Sequence, residues 1–199
     1  MSRGKRLLDL CFSILALLLL SPLFLVVAAA IKFDSKGPVF FRQKRVGLNG
    51  RPFKICKFRT MVKNAAEIGP SITPSSDPRI TWVGAFLRKW YLDEIPQFIN
   101  VLKGEMSVVG PRPETPEYVA LYTPEQTRVL AAKPGMAGPA TIAYRDEADL
   151  LADCEDPEEF YINHMMHDRL SLDLEYVDNQ SLLYDLQLLF KMLRATLTG

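Results

Sequence analysis

The chain is poor in the residues that build metal clusters and disulfide frameworks: 199 residues hold three cysteines, two histidines and two tryptophans. Cys11, Cys56 and Cys154 are odd in number and far apart. That argues against a stapled fold and a clustered zinc site, and it fits a reducing compartment. His164 and His167 lack metal-ligand companions and read as ordinary helix-surface residues. No internal repeat or low-complexity segment is present. Net charge is also nearly absent, at +1, but the two parts of the chain differ sharply. Residues 1–63 carry 13 Lys and Arg against two acids, and the remainder carries 11 against 21. Such a basic stretch suits a polyanion, either anionic lipid headgroups, where each Lys or Arg contributes on the order of 1 kcal/mol, or a phosphorylated substrate. Nucleic acid is set aside, because no aromatic-interleaved platform or DNA-binding motif accompanies the charges.

What the chain has in excess is one long apolar run, Leu7 to Ile31. At ~1.5 Å per residue it reaches roughly 37 Å as a straight helix, against a hydrocarbon core of about 30 Å. Ser21-Pro22 interrupts it, and Pro22 both lacks an N–H and clashes with the carbonyl four residues back, so a kink or break is expected. Lys5 and Arg6 flank the run on one side and Lys32 and Lys36 on the other, so charge sets no direction of crossing. Three readings stand on these residues alone: a signal peptide, a kinked span, and a helix-break-helix that dips in and returns. In the last, Ser21 would satisfy backbone groups freed by the break.

Beyond the run, about 165 residues suffice for one modest domain. Val39-Phe40-Phe41 and Phe53 to Phe58 read as short strands, with Gly47-Leu48-Asn49-Gly50 as the hairpin turn. Residues 69–79 read as loop. Helices are predicted around Ala85 to Tyr91 and from Asp93 to Leu102, the latter closed by Lys103-Gly104. Val108 to Pro113 reads as a rigid turn rather than regular structure. Thr123 and Asp156 carry N-cap patterns followed by proline, so helices should start there, the second running to about Asp168. Leu172 to Leu197 has helical apolar spacing and predicts one long closing helix whose apolar face suits either the protein or a bilayer interface. The fold class that follows is α+β, mostly α, with a small β-hairpin, amphipathic interfacial helices, a membrane segment over 1–36 and a membrane-associated domain over 37–199.

The densest cluster of reactive groups is Arg88 to Gln97. Asp93 and Glu94 at a helix start are favoured by its dipole, and taken alone Asp93 reads as an N-cap. Acids able to hold a divalent cation, together with arginines and lysines on rigid Gly-Pro turns, are also what phosphoryl transfer requires. A carboxylate can attack phosphorus itself and form a covalent intermediate.

Taken in order, Lys5-Arg6-Leu7-Leu8-Asp9, Ser21-Pro22, Gly37-Pro38-Val39-Phe40, Gln43 to Gly47, Phe53 to Met61, Leu92 to Gln97, Asn100 to Ser107 and Gly110-Pro111-Arg112-Pro113 resemble the bacterial sugar transferase family. These are the monotopic polyprenyl-phosphate phosphoglycosyl transferases, and the likeness covers nearly the whole chain. It implies that Asp93 is the nucleophile on the β-phosphate of a UDP-sugar, releasing UMP. Polyprenyl (undecaprenyl) phosphate then takes the phosphosugar, in the first membrane step of glycan synthesis. It also implies Mg²⁺ at Asp93 and Glu94. Phosphate or substrate contacts are expected from Lys57, Arg59, Arg88, Arg112 and Arg145, and Asp173 and Tyr176 match a late motif. The expected location is the cytoplasmic face of the bacterial inner membrane, with Ser21 and Pro22 as the break of a re-entrant helix and membrane lipids as neighbours. Residues 135–145 depart from the family pattern, which leaves the sugar open. The chain reads as the minimal catalytic unit. Oligomeric state is undetermined, a homodimer included. Two other functions compete: a non-catalytic adaptor held to anionic lipid, and a membrane-bound phosphohydrolase with water as acceptor.

Overall fold

A computed structural model describes residues 3–198. The apolar run folds as two helices, α1 (Arg3–Leu19) and α2 (Ser21–Asp34), bent by 60°. Pro22 brings no N–H to the carbonyl of Leu18; the Ser21 hydroxyl donates to that carbonyl instead, at 2.8 Å. Among the described residues no single helix is long and apolar enough to cross a membrane, whereas the bent pair passes by length and composition together.

A hairpin follows, with β1 (Phe40–Val46) antiparallel to β2 (Pro52–Phe58) in a register that sets Phe40 opposite Phe58 and Arg45 opposite Phe53. The turn lies where Leu48-Asn49-Gly50 predicts it, with Asn49 at φ 55°. Next come α3 (Trp82–Lys89), capped by the Thr81 hydroxyl, a 3₁₀ turn over Leu92–Gln97, and α4 (Phe98–Lys103), closed by Gly104 at φ 82°. Two expectations fail beyond this point. Val108 and Val109 belong to a strand, β3 (Ser107–Val109), which pairs in parallel with β4 (Gly135–Ala137), so the rigid turn starts only at Gly110. The pairing needs glycine: a Cβ on Gly135 would stand 2.0 Å from the Gly110 nitrogen.

The closing helix is also two helices, α5 (Met166–Asp178) and α6 (Leu182–Thr198). At the break the Asn179 amide donates to the Glu175 carbonyl at 2.9 Å, and the Ser181 hydroxyl accepts from the Tyr184 N–H at 3.2 Å. Side chains of this type compete with the helix for its own backbone groups. The helix opened by Asp156 turns through a π segment, Tyr161–Met165, before entering α5. The Thr123 box forms as expected but opens a 3₁₀ helix, Gln126–Ala131.

The faces of α1 are inverted relative to a helix in water. Lys5, Asp9 and Ser13, each four residues apart, are buried, whereas Leu7, Ile14, Leu15, Leu18 and Leu19 are exposed. The polar stripe docks on β3. Lys5 Nζ donates to the Val109 carbonyl at 2.9 Å and pairs with Asp185 at 2.6 Å, while Asp9 Oδ1 accepts from the Ser107 hydroxyl and the Val108 N–H, both at 2.9 Å. α2 instead shares an apolar cluster with the rest of the chain: Val27 and Ile31 pack with Phe58 and Leu87. The main core joins Phe53, Ile55, Val101, Met106, Val108 and Leu188, drawn from the hairpin, α4, the link after it, β3 and α6. Large apolar side chains remain bare on α2, α3 and α6, with Phe33 92% and Trp82 84% exposed and Leu183, Phe190 and Leu193 also outside.

Candidate active site

The 3₁₀ turn that carries the two acids is set by the residue before it. Tyr91 adopts the left-handed conformation, φ 54° and ψ 20°, which ends α3 and redirects the chain. Asp93 therefore lies inside the turn and is not an N-cap; the N-terminal position belongs to Tyr91, which makes no side-chain cap. The Asp93 carboxylate is buried, with 8% of the residue exposed, and no hydrogen bond to it is formed among the described residues. Burial pushes its pKa up to about 6 and neighbouring Glu94 adds to the push, while Lys57, Arg88 and Arg112 pull against both.

Glu94 has the opposite environment. Lys57 Nζ, from β2, donates to its Oε1 at 2.6 Å, and Arg112 Nη1 stands 3.5 Å from the same oxygen. Burial alone would raise this group, but Lys57 and Arg112 outweigh it and hold the carboxyl at about 2. Two adjacent carboxyls with separated affinities for the proton, one anchored by cations and one left without a hydrogen bond, form an arrangement that assigns different duties to similar groups.

Arg112 sits on the turn after β3, where prolines on both sides limit its backbone. Its N–H donates to Asp173 Oδ2 at 3.1 Å, and Asp173 Oδ1 accepts from the Ala140 N–H at 3.4 Å. Arg88, from the last turn of α3, donates from Nε to Thr60 Oγ1 at 2.9 Å. Burial lowers the pKa of its guanidinium, and Asp93 is the foremost group opposing that shift. A concavity lined by Arg45, Lys57, Glu94, Gln97, Arg112 and Met136 opens beside these groups.

The structure thus brings together Lys57, Arg88, Asp93, Glu94 and Arg112 from four separate segments. It gives the other candidates different duties. Arg59 is buried and donates to the carbonyls of Pro38 at 2.7 Å, Lys36 at 2.8 Å and Ser35 at 2.9 Å, so it ties the exit of α2 to the hairpin. Tyr176 is fully buried; its hydroxyl donates to Asp185 Oδ1 at 2.6 Å and accepts from Lys5 Nζ at 3.2 Å. Asp173 supports the backbone of Arg112. The Arg145 guanidinium donates to the Ala195 carbonyl of α6, and its own carbonyl accepts from the Tyr91 hydroxyl.

Arg45 and Gln97 were not anticipated, although a signal for each was present. Strand alternation puts Arg45 on the same hairpin face as Lys57. A three-residue step along a 3₁₀ turn eclipses Gln97 with Glu94.

Among the described residues, no group of three or more His, Cys, Asp or Glu side chains is arranged for a metal. That excludes an all-protein cage. It does not conflict with Mg²⁺, which takes one or two carboxylates and completes its shell with water and substrate phosphates. A buried carboxylate without a hydrogen bond among the described residues, next to a second carboxylate, fits that donor set.

Over residues 1–199 the chain matches the model of the family described as bacterial sugar transferase. The chain belongs to this family. Among curated relatives of this bacterial sugar transferase, the exopolysaccharide production protein ExoY of Sinorhizobium fredii is 37% identical over 207 residues, covering 96% of this chain and 84% of the relative. The UDP-glucose:undecaprenyl-phosphate glucose-1-phosphate transferase of Escherichia coli is 40% identical over 195 residues, covering 94% of this chain but 38% of the relative. A protein of the same description from Caulobacter vibrioides is 38% identical over 199 residues, covering 98% and 70% respectively. The chain is accordingly a transferase, and the segments that build the Asp93 site lie inside the matched region.

Proposed function

We propose that this transferase moves a sugar-1-phosphate from a UDP-sugar to polyprenyl phosphate, undecaprenyl phosphate above all, as the first membrane step in building a glycoconjugate. The observation that carries this reading is the Asp93 carboxylate, buried, without a hydrogen-bond partner among the described residues, and facing Lys57, Arg88 and Arg112. With its pKa near 6 it is mostly ionised at pH 7 yet more basic than an ordinary aspartate, which favours nucleophilic attack. In the first half-reaction an Asp93 oxygen bonds to the β-phosphorus and the bond to the bridging oxygen breaks, so UMP leaves with the electron pair. In the second, a phosphate oxygen of the lipid attacks that phosphorus and frees the carboxylate.

Lys57 and Arg112, which flank Glu94, would take phosphoryl oxygens, and the fork of Arg112 suits two at once. Asp93 and Glu94 would hold Mg²⁺, which when bound offsets charge developing on the diphosphate. A covalent step lets a soluble and a lipid substrate use one site in turn.

The membrane segment belongs to the same proposal. The 60° bend, the self-satisfied break at Ser21 and the bare apolar faces of α1, α2, α3 and α6 support a re-entrant anchor with interfacial helices. Met1, which lies outside the described residues, and the site then share the cytoplasmic face of the bacterial inner membrane. Cysteine labelling that found residue 1 on the opposite face would replace the anchor with a kinked span.

Incubation of the membrane-embedded protein with a panel of UDP-sugars, with and without undecaprenyl phosphate, tests the reaction. A lipid-linked product and UMP are expected together. Free sugar phosphate without lipid product marks a phosphohydrolase, and no UMP from any sugar marks an adaptor.

A further inference from the structure

Two separate tethers tie the active site to one short segment. At the start of the helix Pro139–Ala143, the Ala140 N–H and the Arg112 N–H both donate to Asp173, so this end is fixed to the turn that carries Arg112. Just past the other end, the Arg145 carbonyl accepts from the Tyr91 hydroxyl, so that end is fixed to the turn that carries Asp93. Lys57 and Glu94 close the ring, with Arg112 Nη1 3.5 Å from Glu94. The segment is held from outside as well, because the Arg145 guanidinium donates to the Ala195 carbonyl of α6.

Tyr91 is also one of only two non-glycine residues with positive φ among the described residues, and the other, Asn49, is an ordinary turn residue. A bulky side chain in this conformation costs on the order of 1–3 kcal/mol and persists only where its surroundings hold it. Here two backbone bonds, Tyr91 N–H to the Arg88 carbonyl and Glu94 N–H to the Tyr91 carbonyl, hold it within the turn, and the hydroxyl bond to Arg145 is its tether to the rest of the site. Burial raises the phenol pKa, so the group remains a donor at neutral pH.

We propose that Tyr91 is a positioning residue: through the Arg145 carbonyl and the 139–145 segment, it sets the Asp93 turn at a fixed separation from Arg112. This rests on the reading of Asp93 as nucleophile. A misplacement of about 1 Å at a reacting group can cost 10²-fold in rate, so loss of one such tether should be read in kcat rather than in substrate affinity. It would also make the 139–145 segment a determinant of site geometry.

The test uses the full chain in lipid and follows UMP release and KM for the UDP-sugar in Tyr91→Phe, Tyr91→Gly and Asp93→Asn. Tyr91→Phe removes the tether alone and is expected to lower kcat ~10-fold or more while KM stays within about twofold. Tyr91→Gly, which accepts the backbone conformation freely, is expected to lose as much. Wild-type kcat in either Tyr91 variant overturns the proposal, as does a KM that rises while kcat holds. Turnover in Asp93→Asn overturns the nucleophile reading instead, so the two failures are distinct.

Discussion

Replacing Asp93 by Asn should make the free protein more stable while abolishing turnover, and the size of the gain follows from the site. Burial raises the Asp93 carboxyl from its ordinary value near 3.8 to about 6 in the folded chain. The native state therefore holds that proton more tightly than the unfolded state. Between pH 4 and 6 the native state carries more protons, so stability falls as pH rises, and above pH 6 the whole cost of the buried charge is present. The difference between 3.8 and about 6 corresponds to about 3 kcal/mol. Asn has nearly the same shape and no charge to bury. At pH 7.5 the variant should exceed the wild type by up to about 3 kcal/mol, which for a chain of this size raises Tm by ~6–12 °C. At pH 4 the difference should shrink to under about 1 kcal/mol. Melting followed by tryptophan fluorescence in nanodiscs, with chelator present so that no divalent cation offsets the carboxylate, provides the comparison. Asp173, also raised to about 6 by burial, contributes equally to both proteins and cancels in the difference. A variant no more stable than wild type at pH 7.5, or one with the same advantage at pH 4, would show that Asp93 carries no buried-charge cost.

Ionisation of the same group should govern rate: the first half-reaction, followed by UMP release in single turnover, is expected to rise with pH as the Asp93 carboxyl loses its proton and to level off by about pH 7, Mg²⁺ at the carboxylate moving the rise to lower pH, and a rate that falls from pH 4 to 7 would count against Asp93. Arg112→Lys keeps the charge but loses the fork, so KM for the UDP-sugar should rise ~10-fold with Tm little changed; unchanged kinetics would show that the fork is not used. Lys5→Met leaves the buried Asp185 without its counter-charge at 2.6 Å and should cost about 3–5 kcal/mol, with Lys5→Met/Asp185→Leu recovering most of it in the same melting assay.

Much of this architecture was legible where one local rule decides the outcome. Pro22 required a break, Asn49-Gly50 a hairpin turn and Gly104 a helix end, and all three are found there. Features set by partners distant in sequence were not. β3 and β4 are three residues each and pair across 28 positions, with no alternation to reveal them. The break at Asn179 interrupts an unbroken helical period and serves to bring Asp185 to Lys5 and Tyr176. Of the cluster around Asp93, the acids and the cations Lys57 and Arg112 could be singled out from residue type and order, as groups that phosphoryl transfer would require, and the fold brings them together. Arg59 could not be told from a phosphate ligand by type alone; only the carbonyls gathered around it at the exit of α2 reveal its duty. Tyr91 carried no signal, since nothing in Trp90-Tyr91-Leu92 announces a left-handed residue.

The central claim is a phosphosugar bonded to Asp93. The direct measurement is intact mass of the protein after brief exposure to a UDP-sugar and Mg²⁺ without lipid acceptor, followed by peptide mapping. A mass gain equal to one sugar phosphate is expected, located on the peptide that contains Asp93, discharged by added polyprenyl phosphate and absent in Asp93→Asn. An adduct on another residue, or rapid UMP release with no adduct in wild type, would contradict the claim.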